Sequence, residues 1–182
     1  LKFNLKTANF SGTGTVTLVN SALPTKTLEN NPIIMTGGST TLQVKHKDHH
    51  MYTTSNNVTI SGVSTGITTT LNGAITAAAT SITLTDGTNF DDTSGKYSNT
   101  VDSEYWIKIG DEIIKYSTIT TNAISSASRG QQSTTAAAHA DGTTVELYMI
   151  HRVPLYEINK THTAIGNIGI DNYTVTLTTT PI

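Results

Sequence analysis

The sequence predicts an all-β protein built from antiparallel sandwich-like or barrel-like modules. Threonine makes up about a fifth of the chain, and apolar and polar residues alternate with period two in most segments. Threonine is β-branched and favours strands, while its hydroxyl tolerates the solvent-facing side of a sheet. Only 13% of the residues are charged, and strong helix formers are few. The alanine runs at 77–79 and 136–138 are too short to hold a helix alone, so we expect a loop, or at most one turn, at each.

The alternating segments give the individual strands. Each has an apolar and a polar face, as is typical of antiparallel sheets with one side in the core and one in water. Gly110-Asp111 lies between two such segments and predicts a two-residue hairpin. The predicted strands cover 15–19, 41–45, 57–61, 81–85, 105–109, 112–116, 144–148 and 173–177.

Composition and charge exclude several classes of protein. No segment reaches the ~18 consecutive apolar residues of a membrane helix, so we expect no membrane span. The net charge of −2 argues against a nucleic-acid partner. Cysteine is absent, which excludes disulfides and cysteine-bound zinc. The chain begins with Leu1 and lacks the pattern of a signal peptide, so we expect it to be part of a longer protein.

The strand pattern also suggests how the chain is divided. Residues 74–151 form a self-contained set of strands and loops, whereas 40–73 and 152–182 each look incomplete. We therefore expect 40–73 and 152–182 to pair as one discontinuous β module, with 74–151 inserted into it, since insertion at an exposed loop is well tolerated. Residues 1–39 are expected to be an N-terminal β segment used in assembly, or part of a preceding module.

Residues 74–151 carry a spaced motif. It reads Ile-Lys-Ile-Gly-Asp-Glu-Ile-Ile-Lys-Tyr at 107–116, Ala-Ser-Arg-Gly at 127–130, and continues through His139 to Val145. This motif resembles a module common in structural proteins of tailed bacteriophages, and the resemblance covers most of 74–151.

The flanking segments resemble a second phage tail-associated module. Its pattern is matched by residues 49–52 and 57–63 before the insert and by 154–163 and 171–175 after it. In that module the two halves follow each other closely, whereas here the first module separates them. The whole chain is similar to virion structural proteins of T4-like myophages of marine cyanobacteria. The resemblance implies a tail-fibre or baseplate component on the particle surface, with other virion proteins and copies of itself as partners, and it implies no catalytic residues or cofactor.

The motif residues suggest a role in fixing loops. Asp111 follows the glycine of a tight hairpin, and Arg129 could hold backbone carbonyls or a carboxylate such as Asp111 or Glu112. His139 lies in a loop of small residues and could hydrogen-bond that loop to a strand. The alternative is that these side chains contact a ligand.

Trp106 is the single tryptophan and the candidate anchor of a sugar-binding patch. It could act with Tyr97, Tyr105 and Tyr116. In an alternating strand Trp106 and Tyr105 face opposite sides, so one of them is expected in the core. Packing in the core is the alternative for Trp106 itself.

Two clusters have the composition of metal sites. His46, Asp48, His49 and His50 could bind a transition metal, and an acidic group could bind calcium. A polar strand end and solvated loop acids, respectively, are the simpler interpretations, and we predict no metal site. The acidic group comprises Asp86, Asp91, Asp92, Asp102 and Glu104.

Enzymatic activity is not expected. The chain has no Gly-x-Ser-x-Gly elbow before a helix, and a Glu104–Glu112 pair would lack the aromatic platforms usual at glycosidase sites. The predicted function is a mechanical or assembly role in the virion. Alternatives are a receptor-binding module for host-surface glycan, a capsid decoration or fibre protein, and a bacterial extracellular adhesin domain.

Overall fold

The computed structural model of the chain describes residues 25, 27–28, 31–46, 54–90, 104–163 and 165–181. Over these ranges it has fifteen strands, one 3-10 turn at Leu155–Glu157 and no α-helix. Every strand pair is antiparallel. The all-β prediction is confirmed. The strands are β1 (Ile33–Met35), β2 (Thr41–Lys45), β3 (Val58–Thr59), β4 (Thr68–Thr70), β5 (Ile82–Thr83), β6 (Tyr105–Ile109), β7 (Glu112–Tyr116), β8 (Thr118–Thr120), β9 (Ala123–Ser125), β10 (Ser128–Gln131), β11 (Thr144–Leu147), β12 (Met149–Ile150), β13 (Val153–Pro154), β14 (Thr161–His162) and β15 (Asn172–Thr176).

The largest sheet has five strands in the order β10-β7-β6-β11-β4. Its centre is the β6–β7 hairpin, in which Ile109 lies opposite Glu112 across the Gly110-Asp111 turn. Gly110 has a φ of +60°, which glycine adopts at little cost, and a glycine at the first central position is typical of a type II′ turn. The predicted hairpin therefore matches the observed one.

Both faces of this hairpin are covered, which the alternating pattern did not predict. Ile107 is fully buried on one face of β6, and Trp106 is only 5% exposed on the other. The ring of Tyr156, in the 3-10 turn, meets the Trp106 ring edge-on at 4.9 Å. The expectation of one polar face is thus wrong for β6, because a later segment of the chain covers that face.

A three-stranded sheet in the order β1-β2-β15 joins two distant parts of the chain. Thr41 pairs with Thr176 at one end and Lys45 with Asn172 at the other. Two further backbone hydrogen bonds extend the pairing beyond the strands, from Leu177 to Thr40 and from Gly38 to Pro181. Segments that precede and follow most of the described chain therefore run side by side.

Three small sheets complete the fold. They are β5-β9-β8, the β12–β13 hairpin and the β3–β14 pair. The buried apolar side chains of all the sheets form one continuous cluster that includes Leu42, Leu84, Ile124 and Leu147. Within the described ranges no helix is long and apolar enough to cross a membrane.

Strand prediction succeeded best for the long strands. The segments 41–45, 105–109 and 112–116 are strands with the expected ends, and 57–61, 81–85, 144–148 and 173–177 contain shorter or shifted ones. The alanine runs are loops, as expected. The predicted strand at 15–19 lies outside the described residues, as does most of 1–39.

The pairing pattern bears on the predicted insertion without deciding it. The pairs β2–β15 and β3–β14 each join 40–73 to 152–182. However, β4 lies before residue 74 and pairs with β11, in the segment expected to be the insert. The division into modules stays a prediction. In the structure the five-stranded sheet begins with β4, which lies before residue 74.

Candidate functional site

Glu112 is the centre of the candidate site. It is the first residue of β7, on the same face as the buried Ile114. Its side chain is 1% exposed. A carboxylate in such a position is costly unless it is paired and hydrogen-bonded, so the surrounding donors decide whether the arrangement is stable.

Arg129 forms a two-pronged ion pair with this carboxylate. Its Nε donates to Oε1 of Glu112 at 2.8 Å and its Nη2 donates to Oε2 at 2.7 Å. The side chain reaches the carboxylate from an irregularity in β10, where the register with β7 shifts between Ser128 and Gln131. Gly130 allows this, because its φ is +58° and a Cβ there would lie 2.9 Å from the backbone nitrogen of Ala136.

Three more donors complete the set around Glu112. The backbone N–H of Gly130 donates to Oε1 at 3.0 Å, and that of Ala137 donates to Oε2 at 3.2 Å. Nε2 of His139 donates to Oε2 at 2.7 Å, since an ionised carboxylate can only accept. We call Glu112, Arg129, Gly130, Ala137 and His139 the Glu112 network.

The network fastens two loops to the five-stranded sheet. Arg129 Nη1 donates to the carbonyl of Thr76 at 2.6 Å, and Nη2 donates to that of Ala137 at 2.6 Å. The backbone of His139 exchanges two hydrogen bonds with Ile75, both at 2.9 Å. The loops around residues 76 and 137, which have no regular structure of their own, are therefore held by one guanidinium and one carboxylate.

The electrostatics of the network favour the ionised carboxylate. Burial by itself raises the pKa of Glu112, but the hydrogen bonds from Arg129, His139, Ala137 and Gly130 outweigh it and lower the pKa to about 2. Glu112 is therefore ionised at neutral pH, with its charge balanced by Arg129.

The other predicted residues lie apart from the network. Asp111 is exposed at the hairpin turn, and Arg129 binds Glu112 instead. Trp106 packs against Tyr156, while the rings of Tyr105 and Tyr116 stack at 5.1 Å. Because Trp106 is buried, it offers no flat surface for a sugar. Tyr97 lies outside the described residues.

The two candidate metal clusters are only partly described. His46 and Tyr173 have stacked rings at 6.0 Å, and Asp48, His49 and His50 lie outside the described residues. Glu104 pairs with Lys115 at 2.7 Å, and Asp86 accepts the N–H of Thr88 at 2.9 Å. The described ranges contain no group of three histidine, aspartate or glutamate side chains arranged to hold a metal ion. Asp91, Asp92 and Asp102 also lie outside them.

Two residues with similar holding roles were not singled out from the sequence. Glu157 is buried and accepts the backbone N–H groups of Thr178 and Thr179 at 2.7 and 3.0 Å. The Asn159 side chain accepts the N–H of Val63 at 2.9 Å and donates to its carbonyl at 2.8 Å. Both residues lie in the 154–163 segment of the second motif, where Glu157 stands between the apolar side chains of Tyr156 and Ile158.

No protein-family model matches the chain, and no curated protein or solved structure matches it. The geometry of the Glu112 network and the resemblance of its motif are therefore the basis of a functional proposal.

Proposed function

We propose that the protein is a structural component of a tailed-phage virion, in the tail fibre or baseplate, with a mechanical or assembly role. One observation carries the proposal. Glu112, Arg129 and His139 are polar residues of the motif that resembles a phage structural module. Although they are spread along the chain, Arg129 and His139 both bind the Glu112 carboxylate. Contacts among motif residues are expected if the motif specifies one structural unit.

The bonding of the network favours a holding role over a chemical one. Five donors occupy both oxygens of Glu112, from Arg129 twice, Gly130, Ala137 and His139. A general acid or base needs an oxygen within reach of a substrate proton. Glu112 is buried with its acceptor sites in use, so its contribution is to fix loop positions.

Threonine-rich strands suit such a role. The hydroxyls of Thr59 and Thr161 are hydrogen-bonded across β3–β14 at 2.8 Å, and those of Thr70 and Thr85 are 2.9 Å apart. Cross-strand threonine pairs stabilise a sheet while keeping its outer face polar. We infer that copies of the chain and other virion proteins assemble on rigid β modules of this kind.

Immunogold electron microscopy tests the proposal. An antibody raised against the complete chain is applied to particles of the virus that encodes it, and we expect label on the tail or baseplate. Label on the head instead would indicate capsid decoration. Unlabelled particles together with labelled bacterial surfaces would overturn the proposal in favour of an adhesin.

A glycan array separates a mechanical component from a receptor-binding one. The mechanical role predicts no saturable binding, in keeping with the burial of Trp106. Saturable binding to a host-surface glycan would move the protein to the receptor-binding class.

A further inference from the structure

The sequence contains one Asn-Gly pair, Asn72-Gly73, and two Asp-Gly pairs, at 86–87 and 141–142. In such pairs the backbone nitrogen of the glycine can attack the side-chain carbonyl carbon of the preceding residue, because glycine has no side chain to obstruct the ring closure. Asn-Gly is the more reactive type at neutral pH, since an ionised aspartate is a poor electrophile. Asparagine is for this reason a thermolabile residue.

Two of these pairs face each other in the structure. The N–H of Gly73 donates to Oδ1 of Asp141 at 2.7 Å, and the N–H of Gly142 donates to the carbonyl of Leu71 at 3.0 Å. Each glycine nitrogen is thus engaged by the turn that contains the other pair. The contact links residues far apart in sequence, so it exists only in the folded chain.

The third pair is engaged in a similar way. The N–H of Gly87 donates to Oδ1 of Asn122 at 2.9 Å. All three glycine nitrogens that could close a succinimide ring are therefore hydrogen-bonded to a distant segment.

We propose that Asn72 is a deamidation site and that the carboxylate of Asp141 slows its deamidation in the folded chain. In the reaction, the Gly73 nitrogen gives its proton to hydroxide and bonds to Cγ of Asn72. The Cγ–Nδ2 bond then breaks as Nδ2 takes a proton from water, so ammonia leaves, hydroxide is regenerated, and a five-membered succinimide remains. Water opens the ring at either carbonyl, so the balance is asparagine plus water giving aspartate or isoaspartate plus ammonia.

Asp141 opposes the first step. A bond from an amide to a carboxylate is charge-assisted and holds the amide proton in place. The adjacent negative charge also disfavours the amide anion that must form. No side chain packs on the open side of Gly73, because nothing lies within 4 Å of the place where its Cβ would sit. The side chain of Asn72 is exposed, so water has free access to it.

The backbone around Asn72 shows what the modification would disturb. The N–H of Asn72 donates to Thr83 and that of Leu71 donates to Thr143, both at 2.9 Å. Isoaspartate adds a carbon atom to the main chain and would shift these bonds out of register. The protected pair therefore lies where three segments of the fold meet.

Mass spectrometry of the full chain tests the proposal. Wild type, D141A, D141S and N72Q are incubated at mildly alkaline pH, and peptides are assayed for deamidation and isoaspartate at residue 72. We expect D141A to deamidate about tenfold faster than wild type, as loss of a charge-assisted bond predicts. D141S keeps a side-chain oxygen as an acceptor without the charge, creates no second Asn-Gly pair, and should fall between them. N72Q should gain no isoaspartate.

The matched control is D111A, which removes an exposed carboxylate that does not contact Gly73. It should deamidate at the wild-type rate. Hydrogen exchange at Ile75 and His139, whose paired amides lie in the same two loops, reports whether D141A stays folded. Equal rates in wild type and D141A would overturn the proposal. Fast deamidation of D141A together with lost protection at those amides, and a D141S rate equal to wild type, would also overturn it.

Discussion

At the scale of single residues, Glu112 and Arg129 depend on each other. Their side chains are 1% and 7% exposed, so removing either charge leaves the other buried without its partner. We predict that Glu112→Gln lowers the free energy of unfolding by about 3–5 kcal/mol, the usual cost of breaking a buried ion pair from one side. Urea denaturation followed by circular dichroism measures it.

Glu104→Gln is the matched control for this substitution. Glu104 also pairs with a cation, Lys115, but its side chain is 39% exposed. Surface pairs contribute at most about 1 kcal/mol. If the two variants lost equal stability, Glu112 would not be the holding residue that the network implies.

Acid should weaken the fold in two steps. Burial, with a smaller effect from the charge of Lys160, lowers the pKa of His162 below 6.5, so protonation favours the unfolded chain below about that pH. The pKa of Glu112 falls from 4.5 to about 2 on folding, so its stabilisation is complete above pH 4.5 and is lost as the pH falls toward 2. The hydrogen bonds to Thr178 and Thr179 overcome burial and lower the pKa of Glu157 as well, which adds to the second step.

Urea denaturation at a series of pH values measures both steps. H162Q should lack the decline that begins at pH 6.5 while keeping the one that begins at pH 4.5. A wild-type stability that is constant from neutral pH to pH 4.5 would contradict the assignment to His162.

The sequence offered Arg129 backbone carbonyls or a carboxylate such as Asp111 or Glu112 as partners, and it could not choose between those two carboxylates. Asp111 and Glu112 are adjacent in the sequence. Which of the two faces Arg129 depends on where the turn ends and β7 begins. Glu157 and Asn159 escaped prediction for another reason. Their partners, Thr178 and Val63, are found only when distant strands meet.

At the scale of elements, the turn after β10 carries backbone strain. Gln132 and Ser133 have φ values of 55° and 62°, and the N–H of Thr134 closes the turn onto the carbonyl of Gln131. Left-handed conformations cost most residues roughly 1–2 kcal/mol each, and turns with two such residues prefer Asn-Gly.

We predict that the double variant Q132N/S133G raises the free energy of unfolding by about 1–2 kcal/mol. Both side chains are exposed, so little else changes. Ser125→Gly is the opposite control, because Ser125 is an exposed strand residue and glycine there should cost roughly 0.5–1 kcal/mol. Thermal and urea unfolding compare the variants, and a loss of stability in the double variant would refute the strain.

Strand length explains which strand ends the sequence could predict, although the two-residue strands β3 and β5 also lie within alternating segments. β2, β6 and β7 each have five residues, enough for an alternation to stand out. β12, β13 and β14 have two each, and a two-residue strand has no periodicity of its own. Such strands are defined by their partners, which local sequence does not contain.

At the scale of the whole molecule, the fragment 74–151 tests the inserted module. It lacks β4, which pairs with β11, and it lacks the buried Leu71. We predict that a fragment 66–151 unfolds cooperatively and is more stable than 74–151. Urea unfolding of both fragments checks this, and the absence of a cooperative transition in both would rule out an independent inserted module.

The β2–β15 pairing also determines how the chain would carry tension. Thr41 and Thr176 lie opposite each other, so a pull applied to these two residues peels the sheet open one hydrogen bond at a time. A pull along the strands would load all the bonds together. The force therefore passes through the paired ends of β2 and β15, and the chain between residues 41 and 176 lies outside its path. The Glu112 network lies in that part of the chain, so it bears no load while the β2–β15 pairs hold.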